Sequence, residues 1–150
     1  MPQSLSKIYI HLVFSTKHRA RMIDDAIRPD LHSVMGGILK TLNCSPVKIN
    51  SEPDHAHVLF ILGRTVALAN AVGEVKAGST RWIKNMSIDF QQYQWQAGYG
   101  AFSVGESMVP QVIRYIENQR IHHQKRTFKD EFRSLCTAYG IRWDERYVWD

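Results

Sequence analysis

Residues 55–62 read HAHVLFIL. Successive side chains of an extended segment point to opposite faces. His55, His57, Leu59 and Ile61 therefore share one face, and Ala56, Val58, Phe60 and Leu62 the other. Apart from the two histidines, both faces are apolar. That pattern predicts a strand covered on both sides, in the middle of a sheet. Two histidines at i and i+2 project from the same face with Cα atoms about 7 Å apart. Their imidazoles can converge on one ion, although the pair also suits ordinary polar residues at a strand end.

Upstream, residues 7–17 (KIYIHLVFSTK) alternate, with Ile8, Ile10, Leu12 and Phe14 against Tyr9, His11 and Val13, and predict another strand. Residues 44–51 (CSPVKINS) and 98–104 (GYGAFSV) read as two more, and Pro53-Asp54 as a turn. Asp24 or Asp25 can cap a helix running to about Leu42, with Ile27, Leu31, Val34, Ile38, Leu39 and Leu42 as its stripe. Gly36-Gly37 inside it costs about 1 kcal/mol per residue and points to close packing there. Residues 66–86 read as a second helix. Pro110 opens a third, through about His123, a last helix covers roughly 127–139, and the tail RWDERYVWD is expected to dock.

The order β-α-β-β-α-β followed by helices predicts an α+β, ferredoxin-like (split βαβ) antiparallel sheet. We expect a single domain over 1–150, with a core over 1–105 and the C-terminal helices and tail over 106–150. Two helices on one face leave the other needing cover, from the C-terminal helices of the same chain or of a partner copy.

The 150 residues carry 19 Lys+Arg against 14 Asp+Glu, a formal charge of +5 that makes a polyanionic partner plausible. Only two cysteines occur, Cys44 and Cys136, and they form no CxxC pair, which argues against a zinc ribbon or a disulfide scaffold. A reduced, cytoplasmic setting is the expectation. No leader pattern and no membrane-length apolar stretch is present.

Residues 110–123 read PQVIRYIENQRIHH. Tyr115 and Gln119, four apart on a helix, would share a face one turn apart. A lone helical tyrosine also fits a half-buried core aromatic with its hydroxyl at the rim. His122 and His123 offer further ligands or phosphate contacts, or simply a solvated helix end. Asp54 could orient a ligand histidine or serve only the turn.

Taken together, PDHAHVLFIL, GYGAFSV and VIRYIENQRIHH, with KIYIHLVFSTKHR before them and YGIRWDERYVWD after, resemble the single-tyrosine HUH transposases of bacterial insertion sequences, the insertion-sequence-200-like group. The resemblance covers nearly the whole chain. It implies that His55 and His57 are the pair holding a divalent ion, Mg²⁺ or Mn²⁺, that Tyr115 is the nucleophile and that Gln119 is the third protein ligand. Ala56 stands where a bulkier aliphatic is usual; its side chain points away from the metal. The resemblance further implies a homodimer in which the tyrosine helix of one subunit completes the metal site of the other. The implied reaction cleaves and rejoins single-stranded DNA hairpins at element ends through a 5′-phosphotyrosine link.

Free tyrosine, with a pKa near 10, is a poor nucleophile at neutral pH, and a divalent ion would supply the missing help. Candidate DNA contacts are Lys17, Arg19 and Arg21 after the first strand, then Lys76, Arg81, Trp82 and Lys84, and then Arg120 with Arg114, Lys125 and Arg126. Trp82 or Trp95 could stack unpaired bases. Two other readings stay open. One is a domesticated nickase of repeated hairpins with the same chemistry; the other is a non-catalytic nucleic-acid-binding or metal-binding protein on this fold.

Overall fold

A computed structural model describes residues 2–150. Strands β1 (Tyr9–Ser15), β2 (Ser45–Glu52), β3 (His55–Ile61) and β4 (Gly100–Val104) form one sheet in the order β2-β3-β1-β4. Every neighbouring pair is antiparallel, so the split βαβ expectation holds. The double-apolar pattern of residues 55–62 puts β3 inside the sheet, where Val13 of β1 lies opposite His57 and Ser15 opposite His55.

Helices α1 (Arg28–Thr41) and α2 (Leu68–Met86) cover one face. Leu12, Phe14, Val58 and Phe60 bury there against Leu31, Met35, Val75 and Ile83. Each such apolar side chain contributes about 1.5–3 kcal/mol on leaving water. The other face is covered by the same chain, through α3 (Val109–Glu117), α4 (Gln119–His122) and α5 (Phe128–Ala138). Val13 and Phe102 meet Phe128, Phe132 and Trp149 there, while Leu59 and Val104 meet Val109 and Ile116. The tail docks as expected, with the Trp149 ring 5.8 Å from that of Phe132.

Local chemistry departs from the sequence pattern at three places. Asp24 does not cap α1: it closes a preceding turn by accepting from the Ile27 N–H at 3.0 Å, and the helix starts at Arg28 with Pro29 in its first turn. The Gly36-Gly37 pair makes no close approach, since a Cβ at Gly36 would meet Pro46 at an ordinary 3.7 Å and one at Gly37 would meet nothing. The tight contact between α1 and α2 lies at Gly78 instead, where a Cβ would fall 2.5 Å from the Ile38 Cδ1. Finally, the helix expected from Pro110 to His123 breaks at Asn118 (φ −95°, ψ 22°), between Tyr115 and Gln119.

α5 has firm ends. The Thr127 hydroxyl accepts from the Asp130 N–H at its start, and Gly140 takes a left-handed φ of 66° at its close. That fixes which residues of α5 face the sheet.

Candidate metal and nucleophile site

β3 presents His55 and His57 to the face that α3, α4 and α5 cover, and both side chains are fully buried. Each Nδ1 has its own partner. The His55 Nδ1 lies 2.7 Å from the Asp54 Oδ1, and the His57 Nδ1 lies 2.8 Å from the Nε2 of His11 on β1. The Nε2 atoms turn towards the C-terminal helices. The His57 Nε2 is 2.9 Å from the Glu131 Oε1 of α5, and the His55 Nε2 is 3.2 Å from the Gln119 Oε1.

Glu131 is the hub. Its Oε1 also lies 3.1 Å from the His123 Nε2 and 3.6 Å from the His55 Nε2, and its Oε2 accepts from the Tyr115 hydroxyl. Tyr115 is stacked on His122, ring centroids 4.9 Å apart. Gln119 is buried despite the break at Asn118; its amide Nε2 donates weakly to the Tyr115 carbonyl at 3.4 Å, which aims its oxygen at His55. The structure thus brings His55, His57, Tyr115 and Gln119 together.

The charges follow from these contacts. Burial alone would raise the Glu131 carboxyl, but His57, His123 and His55 outweigh it and hold the group well below the usual carboxylate range. Its place in the first turn of α5 favours the anion as well. Tyr115 is pushed the other way, up from its ordinary value, by burial and by the adjacent Glu131 anion. His57 is lowered chiefly by burial, and His123 is raised by Glu131 against the opposing effect of burial. In this resting arrangement the tyrosine keeps its proton.

The donor set fits a divalent cation. Ligating atoms of His55, His57 and Glu131 lie within 4.8 Å of one another, and all three residues are buried. With the His55 Nδ1 proton directed at Asp54, its Nε2 lone pair and the Gln119 Oε1 are two acceptors facing each other at 3.2 Å. A cation would satisfy such a pair. Two imidazoles with carboxylate and amide oxygens are ordinary ligands of a divalent cation.

Sequence reasoning missed Glu131 and His11 as members of this centre, whereas it offers His123 as a further ligand. The available signal for Glu131 was a charge on the apolar stripe of α5, between Phe128, Phe132 and Leu135.

The candidate DNA contacts separate. Arg21, Arg120, Lys125 and Arg126 line a cleft of about 880 Å³ together with Asp54 and His123, so it opens beside the histidine pair. Arg120 also bonds Asp25 through both terminal nitrogens, at 3.2 and 2.9 Å. Lys17 is exposed, while Arg19 donates to the Trp149 carbonyl at 3.0 Å. Lys76 is turned inward onto the carbonyls of Gln96, Ala97 and Gly98, at 2.9, 3.2 and 2.6 Å. Arg81 is exposed, and Trp82 and Lys84 are half-buried on α2. Trp95 is no stacking platform: it is buried, edge-on to Phe14, and its indole N–H donates to Ser79.

A split βαβ sheet with a histidine pair on an inner strand, beneath a tyrosine-bearing helix, defines a class of α+β fold. Within that class, the chain belongs to the IS200-like transposase family, whose model matches residues 4–119. It is 23% identical over 117 residues to the ISDra2 transposase TnpA of Deinococcus radiodurans, covering 73% of this chain and 81% of that one. A crystal structure assigned as a transposase from D. radiodurans R1 superposes with a TM-score of 0.62 at 23% identity, over 79% of this chain and 98% of that one. A REP-associated tyrosine transposase bound to a REP hairpin superposes with a TM-score of 0.61 at 12% identity, covering 82% and 73%. The family match ends at Gln119, so Glu131 and the whole of α5 lie beyond it.

Among the described residues, no helix is long and apolar enough to cross a membrane.

Proposed function

We propose that this transposase cleaves and rejoins single-stranded DNA through Tyr115, beside a divalent ion, Mg²⁺ or Mn²⁺, held by His55, His57 and Glu131 with Gln119 at its edge. One observation carries the reading: the tyrosine hydroxyl is bonded to the same carboxylate that joins the histidine pair. When bound, the ion would polarise the scissile phosphate and offset the charge that develops on it.

The chain's own residues supply the rest. The Tyr115 oxygen attacks phosphorus and loses its proton to solvent. The bond from phosphorus to the 3′ oxygen breaks, and that oxygen leaves as a hydroxyl after taking a proton from water. A 5′-phosphotyrosine link remains until a 3′-hydroxyl attacks it and releases Tyr115, so one phosphodiester replaces another without a nucleoside triphosphate. Glu131 serves as a ligand and not as the base. A carboxylate held far below its usual range is a weak proton acceptor at neutral pH, whereas a ligand needs only to be ionised.

The cleft beside Asp54 and His123 would receive the strand, with Arg21, Lys125 and Arg126 on its phosphates and the carboxylates of Asp24, Asp25, Glu52 and Asp130 sharing its wall. The hairpin in the REP-associated structure supports a folded single strand as substrate here too. The resemblance implies a homodimer with exchanged tyrosine helices. In this structure Tyr115 reaches the Glu131 of its own chain, and the same-chain arrangement is the one we adopt.

The test is covalent trapping. Wild-type protein and Tyr115→Phe are incubated with Mg²⁺ and labelled single strands from the flanking DNA, then resolved on a denaturing gel. A protein–DNA band in the wild type alone is expected. Bands of equal strength in both would remove Tyr115 as the nucleophile, and DNA binding without any band would favour a non-catalytic module.

A further inference from the structure

We infer that His11, on β1, is a positioning residue for the metal centre, one that sets the tautomer and ring orientation of His57. The inference rests on the proposed ion site. His11 lies in KIYIHLVF, outside the histidine pair and 46 residues away from His57 along the chain.

A neutral imidazole carries one proton. If the His57 Nε2 is to offer its lone pair to a cation, that proton must sit on Nδ1 and needs an acceptor. The only polar atom within hydrogen-bond distance of the His57 Nδ1, among the described residues, is the His11 Nε2 at 2.8 Å. The ligating tautomer of His57 therefore donates to His11, and the His11 proton must then lie on its own Nδ1.

The same two rings stack with centroids 5.1 Å apart and an interplanar angle of 27°, which fixes the plane of His57 as well as its proton. Phe102 and Tyr115 hold the His11 ring from two further sides, at 6.3 and 6.2 Å, and its exposure is 3%. The Nε2 of His11 is taken up by His57, so its effect on the ion is exerted through that ring.

Asp54 plays the matching part for His55 from the opposite end of the motif. The pair is thus oriented by one carboxylate and one imidazole. Such outer partners of metal-bound histidines are commonly worth 10- to 100-fold in metal affinity. Placing an imidazole and not a second carboxylate behind His57 orients the ligand without adding negative charge next to Glu131.

The test measures Mn²⁺ affinity of the full chain by calorimetry, with no DNA and no turnover. His11→Phe keeps a stacking ring and removes the acceptor. We expect it to weaken Mn²⁺ binding about 10- to 100-fold. His11→Gln, whose amide oxygen can reach the Nε2 position, should recover affinity to within a few-fold of wild type. Equal affinity in wild type and His11→Phe would overturn the inference while leaving the ion site standing. A wild type that binds no Mn²⁺ would remove the ion site and the inference together.

A second measurement needs no variant. In Mg²⁺-saturated wild type, the ¹⁵N shifts of the rings should show His57 protonated on Nδ1 and His11 unprotonated on Nε2. The reverse pattern would overturn the inference whatever the variants do.

Discussion

Removing the Glu131 side chain separates its two duties, as a packing and bonding hub in the metal-free protein and as a ligand. Glu131→Ala leaves three donors without their acceptor: His57, His123 and Tyr115. His123 and Tyr115 are only half-buried and can turn to water. The His57 Nε2 is fully enclosed and cannot, so one buried donor is orphaned at about 1–3 kcal/mol, with roughly another 1 kcal/mol for the partly collapsed space. A total of about 2–4 kcal/mol lowers the melting temperature of a domain this size by roughly 4–16 °C. Glu131→Gln, which keeps an oxygen for His57, should lose less than half of that.

The ligand duty appears when ion is added. At a Mn²⁺ concentration about 100 times the wild-type Kd, linkage raises stability by about 2.7 kcal/mol. A tenfold weaker site gains about 1.4 kcal/mol at the same concentration, and a hundredfold weaker one about 0.4. Thermal melts of wild type, Glu131→Gln and Glu131→Ala, with and without Mn²⁺, give both quantities. An alanine variant that melts with the wild type, and gains as much from Mn²⁺, would refute the reasoning that makes Glu131 the hub.

Two further expectations concern stability. At Gly100 a Cβ would fall 2.7 and 2.9 Å from ring atoms of Phe132, so Gly100→Ala should cost about 1–3 kcal/mol by pressing α5 off β4, and an unchanged melting temperature would show that α5 does not bear on that strand. His32 is lowered to about 4 by burial and by the charges of Arg28 and Lys48, and its Nε2 lies 2.8 Å from the Ser51 hydroxyl. The unfolded chain, with a His pKa near 6.5, takes up a proton that the folded chain refuses. Stability should therefore fall as pH drops from about 6.5 towards 4, and His32→Gln should flatten that slope in urea melts; an equally steep slope in the variant would clear His32 of any part in it.

How much of this was legible in the sequence depended on whether a residue's partners were local. Alternation placed β1 and β3 because a strand's faces are set by its own period, and the apolar run at 55–62 required an inner strand whatever lay beside it. The same logic put His55 and His57 on one face. The orientation of Gln119 was not legible, because the break at Asn118 interrupts the helix that the spacing assumed. Glu131 stands 74 residues from His57, and nothing near it in the sequence says that its stripe packs on the histidine face and not on solvent. Lys76 illustrates the opposite error. The sequence groups it with a basic surface patch, but its amine lies near the rings of Phe14 and Tyr99 and donates to three carbonyls.

The location of Tyr115 bears on the number of chains a working site needs. The nucleophile, both histidines, Gln119 and Glu131 all come from one chain, and the cover of the sheet is completed by its own α3 and α5. An exchanged arrangement would have to break the Tyr115–Glu131 bond and lift α3 from Leu59 and Val104. The two arrangements give opposite results when inactive variants are mixed. Tyr115→Phe keeps its ligands and lacks a nucleophile, and His57→Ala keeps its nucleophile and lacks a ligand. If each tyrosine serves its own chain, no mixture of the two holds a complete site, and covalent DNA product stays absent at every ratio. If helices are exchanged, one site in each mixed dimer is whole, and product returns, to as much as a quarter of wild type at equal ratio for random pairing. The same-chain proposal expects the first result, and recovered product after co-refolding would overturn it while leaving Tyr115 as the nucleophile.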